Sequence, residues 1–288
     1  MPATLIDGRA QAAALRGQLT RLAGKLRQRP RLATILVGDD PASQIYVTNK
    51  LKVCAEIGIA AQLERLSATI SAASLKAVIA QLNSDPTVHG ILLQLPLPAH
   101  LDTAEILSSI DPRKDVDGLH PLNAGLLAQG RTSGFIPCTP RGCLQLIRSV
   151  CPSLYARPAL IIGRSLLVGR PMAQLLVQQD CTVTLAHSKS RDVPLLAVQA
   201  EILVVAAGQP GLVQRDWVKP GAIVIDVGIN RTATGLCGDV APDVADVAGY
   251  LTPVPGGVGP MTIANLMANV MLAACRQSGD PIPTELQV

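Results

Sequence analysis

The chain has 288 residues, 48% of them hydrophobic and only 2% aromatic, with a formal charge of +4. That length accommodates two domains, and aliphatic cores with so few aromatics point to buried parallel sheets of the α/β class. The 25 basic residues are spread without a dense block or an aromatic-interleaved stripe, which argues against a nucleic-acid partner.

Cysteines at 54, 138, 143, 151, 181, 237 and 275 form an odd, scattered set with no CxxC pair and no ligand-like histidine spacing. Free thiols in a reducing compartment and no metal site are expected. No signal segment opens the chain and no run of about 18 apolar residues stands out, so the expectation is a cytoplasmic soluble protein without a membrane partner.

Leu15, Leu19, Leu22, Ala23 and Leu26 mark one face of a helix ending near Pro30. RLATILVG (31 to 38) reads as a buried strand, closed by Gly38 and the turn-rich Asp39-Asp40-Pro41. It delivers the chain to a helix over 43 to 59, with Val47, Leu51, Cys54 and Ala55 at helical spacing. Tyr46 and Lys50, four apart, share one face of that helix. A solvated lysine beside a packed tyrosine would give the same spacing, but this helix starts at a strand's carboxyl end, where open α/β sheets bind ligands.

Residues 71 to 86 predict a second helix, with Leu75, Val78, Ile79 and Leu82 on one side, followed by an apolar strand over 89 to 98. Gln94 interrupts that strand. A buried amide costs about 1 to 3 kcal/mol if unpaired, so Gln94 needs a partner from the protein or a ligand. The loop DPRKDVDGLHPLNAG (111 to 125) is dense in charge around Asp117-Gly118, and its His120 reads as a hydrogen-bonded structural histidine.

From Pro158 the pattern is strand, glycine turn, helix, strand, a mononucleotide-binding unit in which Gly163 ends the strand and Gly169-Arg170-Pro171 opens the helix. The spacing is not GxGxxG. After the second strand stands His187-Ser188-Lys189-Ser190-Arg191, with no acid for a ribose hydroxyl; together with Arg164 this predicts a cationic, hydroxyl-rich pocket for a 2′-phosphate, hence NADP rather than NAD. Strands are expected within 201 to 211 and 221 to 230. A proline- and glycine-rich loop then enters an apolar helix over 252 to 275, without the lysine of a Walker motif.

Six segments, VGDDPASQIYVTNKLKVCAEIGI, GILLQLPLP, KDVDGLHPLNAG, FIPCTPRGCLQLI, IIGRSLLVGRP and PVPGGVGPMT, resemble the signatures of the bifunctional methylenetetrahydrofolate dehydrogenase and methenyltetrahydrofolate cyclohydrolase family, in that family's order across nearly the whole chain. The resemblance implies Lys50 as the central catalytic residue, Tyr46 packing on the folate, Gln94 tuning Lys50, and Asp117 gripping the pterin. It further implies that Leu93 and Leu95 and the loop Pro255, Gly256, Gly257, Val258 and Gly259 contact the folate. Gly163, Arg164, Ser165, Ser188 and Ile229 would meet the dinucleotide. Arg9 departs from the lysine usual in the family.

The implied fold is a catalytic α/β domain over 1 to 140, joined by helix 262 to 288 packing back on it, and a Rossmann-like NADP domain over 141 to 261, with a cleft between them. The implied substrates are one-carbon derivatives of tetrahydrofolate, and the implied assembly is a homodimer. In the implied chemistry, an amine kept neutral by burial serves both steps. Two alternatives stay open on the residues alone: a dehydrogenase without hydrolase activity and a non-catalytic NADP-binding module.

Overall fold

The computed structural model describes residues 2–233 and 235–286. In chain order the elements are β1 (Thr4–Leu5), α1 (Gly8–Ala23), β2 (Arg31–Val37), α2 (Pro41–Ile57), β3 (Ala60–Leu66), α3 (Ala72–Ser84), β4 (Gly90–Leu93), α4 (Thr103–Leu107), α5 (Pro121–Ala128) and α6 (Cys138–Val150). They continue as β5 (Pro158–Ile162), α7 (Gly169–Val177), β6 (Thr182–Ala186), α8 (Val193–Ala197), β7 (Ile202–Val205), β8 (Ile223–Asp226), β9 (Asn230–Thr232), β10 (Gly235–Cys237), β11 (Tyr250–Leu251) and α9 (Val258–Ser278). The chain divides into two compact units, one of Met1–Ala13 with Pro137–Thr262, the other of Ala14–Ile136 with Ile263–Val288.

The first unit carries a parallel sheet in the order β1-β11-β8-β7-β5-β6. From β5 the chain steps out to β6 and then crosses back to β7 on the other side, so the carboxyl ends of β5 and β7 form a topological switch point, where such sheets bind ligands. Leu160, Ile162, Leu203, Val205 and Val224 pack one face with Ala186, Val213 and Val244. The expected catalytic domain began at residue 1, whereas Thr4 and Leu5 pair in parallel with Tyr250 and Leu251 and so group with this sheet. A two-residue strand has no periodicity to betray it.

The second unit has the parallel sheet β3-β2-β4, with its own switch point at β2. Ala33, Ile35 and Val37 of β2 join Leu75, Ile79 and Leu82 of α3 and Ile91 and Leu93 of β4 in one core. The strand expected over 89 to 98 stops at Leu93. Pro96 and Pro98 have no N–H for a ladder, and only Gln94, donating to the Ile35 carbonyl at 2.9 Å, extends the pairing.

α9 was not expected to hold a membrane-length apolar run, yet an 18-residue window within it reaches a mean hydropathy of 1.5. Protein covers 78% of that window. Leu266, Met267, Val270 and Met271 are all buried, each such side chain contributing about 1.5 to 3 kcal/mol, so the helix reads as the apolar centre of a core.

Candidate active site

α2 is started by Asp40, whose carboxylate accepts from the Ser43 amide at 2.7 Å, and by Pro41 in its first turn; it is ended by Gly58 at φ +93°. Its inner face is Val47, Val53, Cys54 and Ile57, while Ala55, expected there, is exposed; a methyl group is too small to define a face. This leaves Tyr46 39% exposed and Lys50 half-buried, one helical turn apart.

Gln94 follows directly on β4 and is 9% exposed. Lys50 Nζ donates to Gln94 Oε1 at 2.9 Å, and Gln94 Nε2 donates to the Leu95 carbonyl at 2.7 Å. The buried amide is thus paired within the protein, and its partner is the lysine singled out from helical spacing. One turn beyond Lys50, burial pushes the Cys54 thiol up to about 12, so no anion forms there. Cys54 Sγ meets Met267 Sδ at 3.4 Å, seating α2 against α9. The Leu93 side chain belongs to the core of this unit and Leu95 packs against it.

Asp117 lies in the loop after α4, beside Gly118 at φ +73°. That loop is pinned by its neighbours. The buried Asp115 accepts from the His120 amide and from Asn123 Nδ2, each at 2.8 Å, and the Ile91 amide donates to the Lys114 carbonyl at 2.7 Å. Lys114 Nζ closes the end of α3 by donating to the Leu82 and Asp85 carbonyls at 3.0 and 2.7 Å. His120 is indeed structural: its Nδ1 caps α5 by accepting from the Leu122 amide at 3.0 Å. Among the described residues no group donates to the Asp117 carboxylate, which stays half-buried and available.

At the switch point of the other unit lies a cavity of about 420 Å³, lined by Gly163, Arg164 and Ser165 after β5, His187, Ser188 and Ser190 after β6, and Ala206, Ala207 and Gln209 after β7. Val193, Leu212 and Trp217 form its apolar side. Lys189 and Arg191, expected in the same cationic pocket, are outside this lining. A Cβ on Gly163 would strike the Ala206 carbonyl oxygen, and one on Gly169 the Gly163 carbonyl oxygen, so only glycine lets strand, turn and helix close up here. No side chain caps α7, but the Arg170 amide donates to the Ser165 carbonyl at 3.1 Å and Pro171 has no N–H, so in the first turn it is the Gly169 amide that is left to a ligand such as a pyrophosphate. The polar end, rich in hydroxyls and a guanidinium and lacking a carboxylate, fits a dinucleotide with a phosphorylated ribose.

Ile229 and the loop 255–259 lie elsewhere in this unit. A Cβ on Gly259 would sit 4.0 Å from Ile229 Cδ1, and one on Gly256, at φ +113°, 3.0 Å from Arg9 Nε. Ile229 is 48% exposed. Behind it stand two residues not anticipated from the sequence, Asp226 and Asp239, 4% and 0% exposed. Burial pushes the Asp226 carboxyl up to about 6, against the pull of backbone amides at Asp239, Val240 and Gly228.

A glycine turn at a parallel-sheet switch point with a polar cavity beneath it defines a dinucleotide-binding domain, and with the Lys50–Gln94 unit it defines a cofactor-dependent enzyme. Two family models match: the tetrahydrofolate dehydrogenase/cyclohydrolase catalytic domain over residues 6–117, and the NAD(P)-binding domain of the same family over residues 137–278. The bifunctional protein FolD 2 of Paracoccus denitrificans is 51% identical over 97% of this chain and 95% of its own. The crystal structure of the bifunctional FolD dehydrogenase/cyclohydrolase of Campylobacter jejuni superposes with a TM-score of 0.94 at 46% identity, covering 95% of this chain and 99% of that one. The Trypanosoma brucei enzyme, solved with NADP cofactor and an inhibitor, gives 0.92 at 38% identity over 96% and 99%. The chain belongs to the tetrahydrofolate dehydrogenase/cyclohydrolase family.

Proposed function

We propose that the protein oxidises 5,10-methylenetetrahydrofolate to 5,10-methenyltetrahydrofolate with NADP and hydrolyses the product to 10-formyltetrahydrofolate. The observation that carries the reading is the Lys50–Gln94 contact of 2.9 Å at the switch point of its sheet, with Tyr46 exposed one turn away. The one-carbon bridge of the substrate lies between two nitrogens whose lone pairs help expel hydride, so the first step needs alignment more than a base. NADP, when bound, supplies the hydride acceptor. Gly163 and Ser165 would hold its pyrophosphate and Arg164 with Ser188 its 2′-phosphate, with Ile229 and the loop 255–259 against the reacting ends.

In the second step water adds to the bridge carbon as Lys50 Nζ in its amine form takes one of its protons; the adduct's remaining hydroxyl proton is then lost and N5 takes up a proton as the bond to N5 breaks, leaving the formyl group on N10. Tyr46 packs on the folate ring, and the Asp117 carboxylate, to which no described residue donates, accepts from the amide and amino groups of the pterin. Folate chemistry is thus assigned to the unit of residues 14–136 and 263–288, and cofactor binding to the other.

The protein acts as a soluble cytoplasmic homodimer without nucleic-acid or membrane partners. Dispersed basic residues and a buried α9 support the absence of those partners, and the dimer rests on the family relationship, with sedimentation as its test. Purified protein mixed with methylenetetrahydrofolate and NADP should first raise and then remove the absorbance of the methenyl compound. A stable plateau would leave a dehydrogenase alone, and no rise would overturn the reading.

A further inference from the structure

From the end of β8 to β11 the chain uses the same three residue types twice, Asp226-Val227-Gly228 and then Gly238-Asp239-Val240. The two halves interlock. Asp226 Oδ1 accepts from the Gly228 and Asp239 amides at 3.0 and 2.9 Å, and its Oδ2 from the Val240 amide at 3.0 Å. A Cβ on Gly238 would run into the Asp226 carboxylate, and one on Gly228 into the Asp239 carboxylate, so each aspartate is accommodated by the glycine next to the other. Among the described residues no ion pair reaches either carboxylate; both are held by amide donors.

Asp239 is where this lock meets the cavity. Its Oδ2 accepts from the Ala207 and Gly208 amides at 2.7 and 2.8 Å, and its Oδ1 accepts from Asn230 Nδ2 at 2.8 Å. Its own carbonyl accepts from the Val213 amide at 3.0 Å, next to Leu212. Ala207 and Leu212 line the cavity after β7, and Asn230 follows Ile229 after β8. One buried carboxylate therefore ties together the loops at the ends of two adjacent strands, both assigned to the cofactor.

We propose that Asp239 is a positioning residue of the dinucleotide site, holding the loop at Ala207 and the segment at Ile229 in one geometry, and that Asp226 fixes the backbone of Asp239. The inference rests on the reading that this cavity takes the dinucleotide. Charge-assisted bonds to backbone amides are about twice as strong as neutral ones, and a loop so fixed has lost its freedom before the ligand arrives. Hydrolysis of supplied methenyltetrahydrofolate consumes no cofactor and is the internal control.

The test is calorimetric titration of the full-length protein with NADP, beside dehydrogenase and hydrolysis rates and the melting temperature, for wild type, Asp239→Ala, Asp239→Asn and Asn230→Ala. Asp239→Ala should raise the NADP dissociation constant and KM at least about tenfold while hydrolysis stays within about twofold. Asp239→Asn should recover most of the affinity, because its remaining oxygen still accepts from Ala207 and Gly208 while its new amide faces Asn230, whose own amide can turn to accept. If Asp239→Ala does not fold, Asn230→Ala, at a half-buried position, decides by the same ratio. An unchanged NADP constant, or a fall of both activities in proportion to lost stability, would overturn the inference. Wild-type protein that bound no NADP would overturn the reading of the cavity and this inference with it.

Discussion

Gln94 presents its amide oxygen, and not its nitrogen, to Lys50, because the nitrogen is engaged by the Leu95 carbonyl at 2.7 Å. A carbonyl oxygen accepts from a charged or a neutral amine, so the contact fixes where Nζ stands and leaves its charge free to change during turnover. Replacing that oxygen by a carboxylate would bind the ammonium form and oppose its loss of a proton. Gln94→Glu should therefore reduce hydrolysis about ten- to a hundredfold and move the rising limb of its pH profile to higher pH. An unshifted profile would mean that the rising limb is not the ionisation of Lys50, and would remove it as the base.

Lys50→Gln should separate the two reactions. A positioned general base contributes roughly 100- to 10,000-fold, so hydrolysis should nearly vanish, whereas hydride transfer from an aligned folate needs no proton transfer and should survive in part. Wild-type hydrolysis in this variant would remove Lys50 as the base.

Arg164→Ala should weaken NADP binding at least tenfold and leave NAD nearly unchanged, since losing a charge-assisted phosphate contact costs about 1.5 to 3 kcal/mol. Equal losses for the two dinucleotides would assign Arg164 to the shared pyrophosphate.

Asp117→Ala should lower folate affinity and both activities without lowering the melting temperature, because among the described residues no donor is left unpaired by its removal. A turn-forming role makes the opposite forecast: unchanged titration with folate and a less stable protein.

His89 supplies a pH test. It is 2% exposed, and its Nδ1 accepts from the Arg31 amide at 3.1 Å. Burial, with the charges of Lys114 and Arg31 behind it, holds its pKa below the ordinary 6.5. The unfolded chain thus binds the proton more readily than the folded one. The contribution of His89 is complete above its ordinary pKa and is lost as pH falls through the lowered folded value. Between about pH 7 and 5 the wild type should lose melting temperature faster than His89→Gln. Parallel curves would remove His89 as the cause.

Much of the candidate site is legible in the sequence because its signals are local. The four-residue spacing of Tyr46 and Lys50 needed only a helix, which Asp40 and Pro41 start. Gln94 stood out as an amide in an apolar run, and Gly163 as a glycine closing a strand. What escaped notice is non-local. Asp226 and Asp239 are 13 positions apart and bind backbone amides, which look alike in every sequence, so nothing marks them until the loops are folded. The expected strand overruns the end of β4 because apolar character continues past Leu93, although Pro96 and Pro98 have no N–H groups to continue the ladder. Hydropathy likewise says that α9 avoids water but not that other protein, rather than lipid, surrounds it.

The chain contains a single tryptophan, and Trp217 stands in the apolar wall of the cavity that also holds Arg164 and Ser188. Its indole emission is therefore an unlabelled optical gauge of that one pocket, read against only three tyrosines. A reduced nicotinamide cofactor absorbs where tryptophan emits, so energy transfer would distinguish its arrival from that of the oxidised form in the same cuvette. Cofactor exchange during turnover thus becomes visible in real time without a dye, a tag or a coupled assay.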